Sequence, residues 1–259
     1  MKVWKAVVLT VCGLIAAGSI AAGIIDRVQQ RKAERIAREE GKTVHKPYGP
    51  YEKYFKRPLD FALSSIALIA LSPLMALLAL LVRVKLGSPV IFHQQRPGKD
   101  ERLFTLSKYR TLTEEKDKYG EYLPDEDRLT DFGALVRGSS LDELPELVCI
   151  WKGDMSIVGP RPLLVRYLPY YTEAERHRHD VRPGLTGLSQ ASGDVDMTWE
   201  RQFALDVEYV GHITLWTDVK IILLTVWRVL MRHRHGYGGF VRGEFQGSGE
   251  AAEYETAAK

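Results

Sequence analysis

Two long apolar blocks set the pattern of the chain. The first runs from Ala6 to Ile25 and the second from Phe61 to Val82, and neither contains a charged residue. Each is long enough to cross the hydrocarbon core of a bilayer as a helix. Between them, residues 26–60 carry ten Lys or Arg and six Asp or Glu. The Arg/Lys/Glu/Gln/Ala-rich stretch 27–44 predicts a solvated helix that links the first block to the rest. Two readings of the first block stand. Lys2 and Lys5 precede it and Ser19-Ile20-Ala21 is a tolerable cleavage site, as in a secretory signal. Its core is long for a signal, however, and Arg27, Arg31, Lys32, Arg35 and Arg38 outweigh the two N-terminal lysines. A retained anchor is therefore the expectation, with the chain after residue 26 on the cytoplasmic side.

Ser72-Pro73 lies near the middle of the second block. Proline has no N–H, and its ring clashes with the carbonyl four residues earlier, so a kink or break is predicted there. Lys53, Lys56 and Arg57 precede this block, and Arg83 and Lys85 follow it. A spanning helix would put one of these cationic sets outside, whereas a re-entrant helix-break-helix keeps both inside. A proline-kinked spanning helix remains the other reading.

After residue 85 the pattern changes to short elements. Val90-Ile91-Phe92 and Leu103-Phe104-Thr105-Leu106 predict two strands around a Gln95-Arg96-Pro97-Gly98 turn. Val219 to Met231 predicts an apolar helix ringed by Lys220, Arg228, Arg232 and Arg234. It suits either a core element or a helix lying in the headgroup plane. The last stretch, Glu244 to Lys259, is small and polar and predicts a disordered tail. The expected architecture is α+β and mostly helical. Its parts are an N-terminal anchor and linker (1–50), a re-entrant membrane helix (51–85), a cytosolic catalytic domain with interfacial amphipathic helices (86–245) and a tail (246–259).

With 259 residues, a net charge of +3 and two cysteines, the chain is of ordinary globular composition. The charge is too weak to argue for nucleic acid, and Cys12 and Cys149 make neither a disulfide framework nor a metal motif.

Candidate chemistry is densest from Arg137 to Leu147, where Asp142 and Glu143 precede Pro145 at a predicted helix start. Ser140 and Glu143 have capping-box spacing, so a purely structural role is open. A helix start also attracts phosphate, and a carboxylate there can act as a nucleophile toward phosphorus. Arg161 sits between Pro160 and Pro162, which suits a rigid anion clamp. His177 and His179 at i, i+2 allow a metal site or a solvated cationic turn, and Gly184 and Gly187 fit a tight loop whose N–H groups can approach phosphate. Lys108, Arg110, Arg137, Arg161 and Arg182 together suggest a doubly anionic substrate, or contacts to lipid headgroups.

The order of motifs is specific. It runs from the Ser72-Pro73 block through Arg96-Pro97-Gly98, Lys108-Tyr109-Arg110-Thr111 and Arg137 to Leu147, then Gly159-Pro160-Arg161-Pro162 and Arg182-Pro183-Gly184-Leu185-Thr186-Gly187. It closely resembles the bacterial sugar transferase family, the monotopic phosphoglycosyl transferases, over about residues 51–247, and is most similar to the small members. The resemblance implies transfer of a sugar-1-phosphate from a UDP-sugar, often N-acetylated, to polyprenyl (undecaprenyl) phosphate. Asp142 would attack the β-phosphorus, expel UMP and carry a phosphosugar that the lipid phosphate then removes. It implies Glu143 as the assisting acid, and Mg²⁺ held by Asp142 and Glu143. Lys108, Arg137 and Arg161 would hold phosphate, with Arg182 and Thr186 in a substrate-binding loop and Asp218 as a further site member; Asp206 matches another acidic position. It also implies the re-entrant helix, a location in the bacterial inner membrane with the catalytic domain on the cytoplasmic face, and downstream glycosyltransferases as possible partners.

Two departures stand out. Gly193-Asp194 replaces a frequent Gly-Arg, and Leu112 follows Lys108-Tyr109-Arg110-Thr111 where Met is usual. Residues 1–50 lie outside the minimal form and are expected to be a tether or a partner site, without a catalytic role. The rival functions are a catalytically dead membrane scaffold for a glycan pathway and a UDP-sugar hydrolase that uses water as acceptor.

Overall fold

The computed structural model describes residues 2–39, 45–193, 197–231 and 245–247. Asp194, Arg232, Arg234 and the tail from residue 248 lie outside the described residues. Helix α1 (Lys2–Glu39) joins the first apolar block and the charged linker into one rod. A π-helical turn (Tyr51–Phe55) leads into α2 (Lys56–Lys85), which holds the whole second block. Both helices are long and apolar enough to cross a membrane.

The structure differs from the expectation at Pro73: α2 is one continuous helix, without a break into two segments. Pro73 leaves the Ile69 carbonyl without its usual N–H donor, and the Ser72 hydroxyl donates to that carbonyl at 2.8 Å. A serine beside a proline can thus repair the ladder it disrupts.

The packing of α2 is one-sided along its length. Arg57 donates to the carbonyls of Ile150 and Trp151, both at 2.9 Å. Asp60 accepts from the Ser156 hydroxyl at 2.7 Å and from the Ile157 N–H at 3.0 Å. Further on, Ala67, Leu68 and Leu71 pack on the domain core, the Met75 carbonyl accepts from the Tyr109 hydroxyl, and Leu78 and Val82 pack on Tyr109. These positions recur every three or four residues, which is one face of a helix. The opposite face exposes Leu59, Leu63, Ile66, Ile69, Leu74, Leu77, Leu80 and Val84. Helix α1 lies against α2 at two small residues: an added Cβ at Gly18 would lie 2.5 Å from the Phe61 ring, and one at Gly23 would lie 2.7 Å from Pro58.

Two small sheets organise the rest. Strands β1 (Ile91–Pro97) and β2 (Leu103–Tyr109) pair antiparallel with Phe92 opposite Lys108. The strands are longer than expected, and the turn falls at residues 98–102, so Arg96 is a strand residue. Helix α3 (Asp131–Gly138) is capped by Thr130, and α4 (Glu146–Lys152) follows a 3-10 turn at Leu141–Glu143. Strands β3 (Ser156–Val158) and β4 (Gly184–Thr186) pair in parallel. Helices α5 (Trp199–Gly211) and α6 (Leu215–Met231) complete the domain.

The last helix has a core face and an exposed apolar face. Asp218 and Ile221 are buried in the core, while Trp216, Leu223, Trp227 and Leu230 are exposed. An apolar, tryptophan-bearing outer face is what the membrane interface selects.

Candidate active site

The acids sit where a 3-10 turn meets α4. Ser140 is left-handed (φ 58°) and makes no side-chain cap hydrogen bond, so the capping box expected from its spacing with Glu143 is absent. The Glu143 carboxylate is used elsewhere: Lys108 donates to it at 2.6 Å and Arg161 at 2.8 Å. Lys108 also lies 3.2 Å from Glu146, one helical turn later.

Each partner arrives for a local reason. Phe104 and Leu106 of β2 pack on α4, and the two-residue period of the strand puts Lys108 on the same face. Arg161 follows β3 on a backbone pinned at several points. The Gly159 N–H donates to the Thr186 carbonyl at 2.9 Å, and the Gly184 N–H donates to the Pro160 carbonyl at 3.0 Å. An added Cβ at Gly184 would lie 2.1 Å from the Gly159 nitrogen, so glycine is required by this close approach. The Gly184 N–H is therefore spent on Pro160 and is not offered to phosphate. The carbonyl of Arg161 accepts from Arg178 at 2.7 Å. Arg178 and its counter-ion Asp206, 2.8 Å away, are almost wholly buried. The His177–His179 segment is thus only partly solvated: His177 is exposed, while Arg178 and His179 are buried. His177 pairs with Asp180, and burial beside Arg178 and Arg176 lowers His179 to about 3.

Electrostatics separates the three acids. Burial pushes Asp142 up, and the neighbouring Glu143 charge adds to this, against opposing pulls from Lys108 and Arg137. Burial also pushes Glu143 up, but the charges and hydrogen bonds of Arg161 and Lys108 outweigh it and hold Glu143 at about 2. Glu146 is raised to about 7, chiefly by burial, with Lys108 opposing and the Glu143 charge reinforcing. Glu143 is thus a fixed anion, while Asp142 and Glu146 are carboxyls short of cationic partners.

Opposite signs follow for stability. The raised Glu146 gives a contribution that is fully present below about 4.5 and lost as pH rises through about 7. Replacing it by Gln should raise Tm at pH 8, removing a loss on the order of 3 kcal/mol. Glu143 gives a contribution present above about 4.5 and lost as pH falls through about 2, so Glu143→Gln should lower Tm at pH 7. Tm against pH in detergent checks both; the same sign for the two variants would contradict the charge assignment.

Beside the acids is a pocket of about 240 Å³. Arg96, Lys108 and Arg161 give it three cations, Glu146 gives one acid, and Tyr167 and Trp199 with Leu163 and Leu164 line its apolar side. Arg96 and Glu146 were not singled out from the sequence. The spacing of Glu146, three residues after Glu143, was the available signal.

The other expected residues are placed as follows. Arg137 is exposed, donates to the Thr111 hydroxyl at 3.0 Å and exerts its charge on Asp142. Arg182 is not at this site: it pairs with Asp26 of α1 and donates to the Gly153 carbonyl at 2.7 Å. Asp26, just before the 27–44 stretch, is buried, while residues 27–35 are exposed or half-buried. Thr186 meets Thr225 of α6 at 2.7 Å. Asp218 accepts from Tyr51 and Tyr209 at 2.7 Å and from Lys56 at 2.6 Å, in a buried node that ties the start of α2 to α5 and α6.

Among the described residues, no three or more His, Cys, Asp or Glu side chains group to hold a metal. The two hard carboxylates Asp142 and Glu143 nevertheless fit Mg²⁺, which takes one or two carboxylates and draws its other ligands from phosphate and water. The carboxyl of Asp142, raised by burial and by the Glu143 charge, would gain from such an ion.

The bacterial sugar transferase family model matches residues 51–232. Over 198 residues the chain is 46% identical to the uncharacterized sugar transferase EpsL of Bacillus subtilis (strain 168), covering 76% of this chain and 98% of that protein. It is 37% identical to the exopolysaccharide production protein ExoY of Sinorhizobium fredii, with 66% of this chain and 83% of that one covered. It is 36% identical to the UDP-glucose:undecaprenyl-phosphate glucose-1-phosphate transferase of Klebsiella pneumoniae, with 70% of this chain but only 41% of that protein covered.

Proposed function

The chain belongs to the bacterial sugar transferase family, and from that premise we propose that it transfers a sugar-1-phosphate from a UDP-sugar to polyprenyl phosphate at a membrane surface. The observation that carries this is Glu143, next to Asp142 in the chain, fixed against Lys108 and Arg161, two of the three cations that line the pocket. An Asp142 carboxylate oxygen attacks the β-phosphorus, the bond to the bridging oxygen breaks, and UMP leaves. An oxygen of polyprenyl phosphate then attacks the same phosphorus, and the aspartyl ester bond breaks, returning the carboxylate. Lys108, Arg161 and Arg96 hold the phosphate oxygens and lessen repulsion between an anionic nucleophile and an anionic substrate. Glu143 stays ionised and fixes both Lys108 and Arg161. Mg²⁺, held by Asp142 and Glu143 oxygens, would neutralise charge on the diphosphate and the departing UMP.

A covalent intermediate lets a water-soluble donor and a long lipid use one pocket in turn. The donor sugar is expected to be N-acetylated, and the product to be passed to downstream glycosyltransferases. We place the enzyme in the bacterial inner membrane with the catalytic domain on the cytoplasmic face, and α2 entering and returning by a bend at Pro73, without a break, so that both its ends are cytoplasmic. Supporting this, one face of α2 touches the polar domain from Arg57 to Val82 while the other is uniformly apolar.

UMP release with and without polyprenyl phosphate tests the reaction. Release that yields lipid-linked sugar is expected. No release would favour a scaffold, and release indifferent to the lipid would favour a hydrolase. A panel of UDP-sugars identifies the donor. For topology, Tyr48→Cys and Ser88→Cys, each with Cys12→Ser, should both resist a membrane-impermeant thiol reagent in intact cells. Labelling of either one would contradict the placement.

A further inference from the structure

Phe245 lies beyond the region that the family model matches, after α6 has ended at Met231. It is nonetheless one of the buried residues of the fold, 3% exposed. Its ring enters a cluster of Tyr167, Tyr171, Phe203 and Trp199. It meets Phe203 edge-on at 5.0 Å between centroids, Trp199 at 5.6 Å and Tyr167 edge-on at 5.7 Å. Two of these partners, Tyr167 and Trp199, line the same pocket as Arg96, Lys108 and Arg161. Tyr167 and Trp199 also meet each other edge-on at 5.6 Å, so Phe245 packs behind a pair of rings that already contact one another.

We propose that Phe245 is a positioning residue for the donor, setting Tyr167 and Trp199 so that they receive the uracil ring while the cations hold the diphosphate. A pocket lined by both cations and aromatic rings matches a ligand that carries both a diphosphate and a flat ring. Aromatic contacts depend on ring orientation as well as on buried area, so removing the ring behind Tyr167 and Trp199 loosens their facing surfaces. This inference rests on the UDP-sugar reading above. It makes the C-terminal segment part of the donor site and leaves the acceptor lipid untouched.

The test is Phe245→Ala and Phe245→Leu in the full chain, assayed by UMP release with donor and lipid varied separately. For Phe245→Ala, the donor KM and the inhibition constant of UMP should both rise about tenfold, the signature of lost ground-state binding. The lipid KM should be unchanged, and kcat at saturating donor should fall less than about threefold. Phe245→Leu, which keeps apolar bulk, should recover part of the donor KM. Unchanged donor KM in Phe245→Ala overturns the inference. So does a fall in kcat with unchanged donor KM, which reports only lost folded protein. A raised donor KM with unchanged UMP inhibition overturns the uracil assignment. Wild-type protein that releases no UMP from any UDP-sugar overturns the donor reading itself, and this inference with it.

Discussion

Asp142→Asn is expected to abolish UMP release, by a factor of about 10³ or more, because the amide cannot form the phosphosugar ester. The same variant should fold at least as well as the wild type. Asp142 is buried beside the Glu143 charge and its carboxyl is raised, so the neutral isostere removes a repulsion. The two readouts, activity and Tm, therefore separate. A variant both inactive and strongly destabilised would point to a structural role for this acid. Full activity would eliminate it as the nucleophile. The carboxylate must be ionised to attack, so the acid limb of the rate profile should lie above the ordinary range for aspartate, in line with the raised Asp142.

Lys108→Ala is expected to have the largest combined effect. Lys108 bridges Glu143 and Glu146, and its removal takes the nearest cation from both buried carboxyls, leaving Glu143 with Arg161. Breaking such a pair from one side costs about 3 kcal/mol. Loss of a phosphate-holding cation should lower UMP release by about 10²- to 10³-fold. Adding Glu146→Gln to Lys108→Ala should return part of the stability above pH 7, where Glu146 would otherwise ionise beside the Glu143 charge. It should not return the activity, because the cation is still missing. Recovery of both would place Lys108 outside the reaction and make it a structural residue alone.

Much of this site was legible in the sequence, for physical reasons. Asp142 and Glu143 are adjacent acids just before a proline, and Arg161 is held between two prolines. Lys108 lies on a strand whose alternation points it at α4. These are local patterns, and local structure carried them into place. What was not legible depends on pairs far apart in the chain. Arg182 was expected at substrate, but its partner is Asp26, 156 residues away. Asp218 was expected in the active site and instead meets Tyr51, 167 residues away. A charged residue in a motif looks the same whether it meets substrate or a buried counter-ion, and only the fold decides.

The same holds for α2. Its apolar run and Pro73 were plain, but the continuous helix depends on the Ser72 hydroxyl reaching the Ile69 carbonyl. Arg57 and Lys56, counted as membrane-flanking cations, are committed to the α4 carbonyls and to Asp218. Glu146 and Arg96 lie inside the quoted motifs, but nothing local gives either a site role; burial and the contact with Lys108 give Glu146 its character.

The central claim is that the Asp142 side chain is esterified by a sugar phosphate during turnover. The direct measurement is the mass of the protein, and of its Asp142 peptide, after mixing with the preferred UDP-sugar in the absence of polyprenyl phosphate. The account predicts added mass equal to one sugar phosphate on Asp142, which disappears when the lipid phosphate is supplied. Unmodified Asp142 under conditions in which lipid-linked sugar is being made would contradict it.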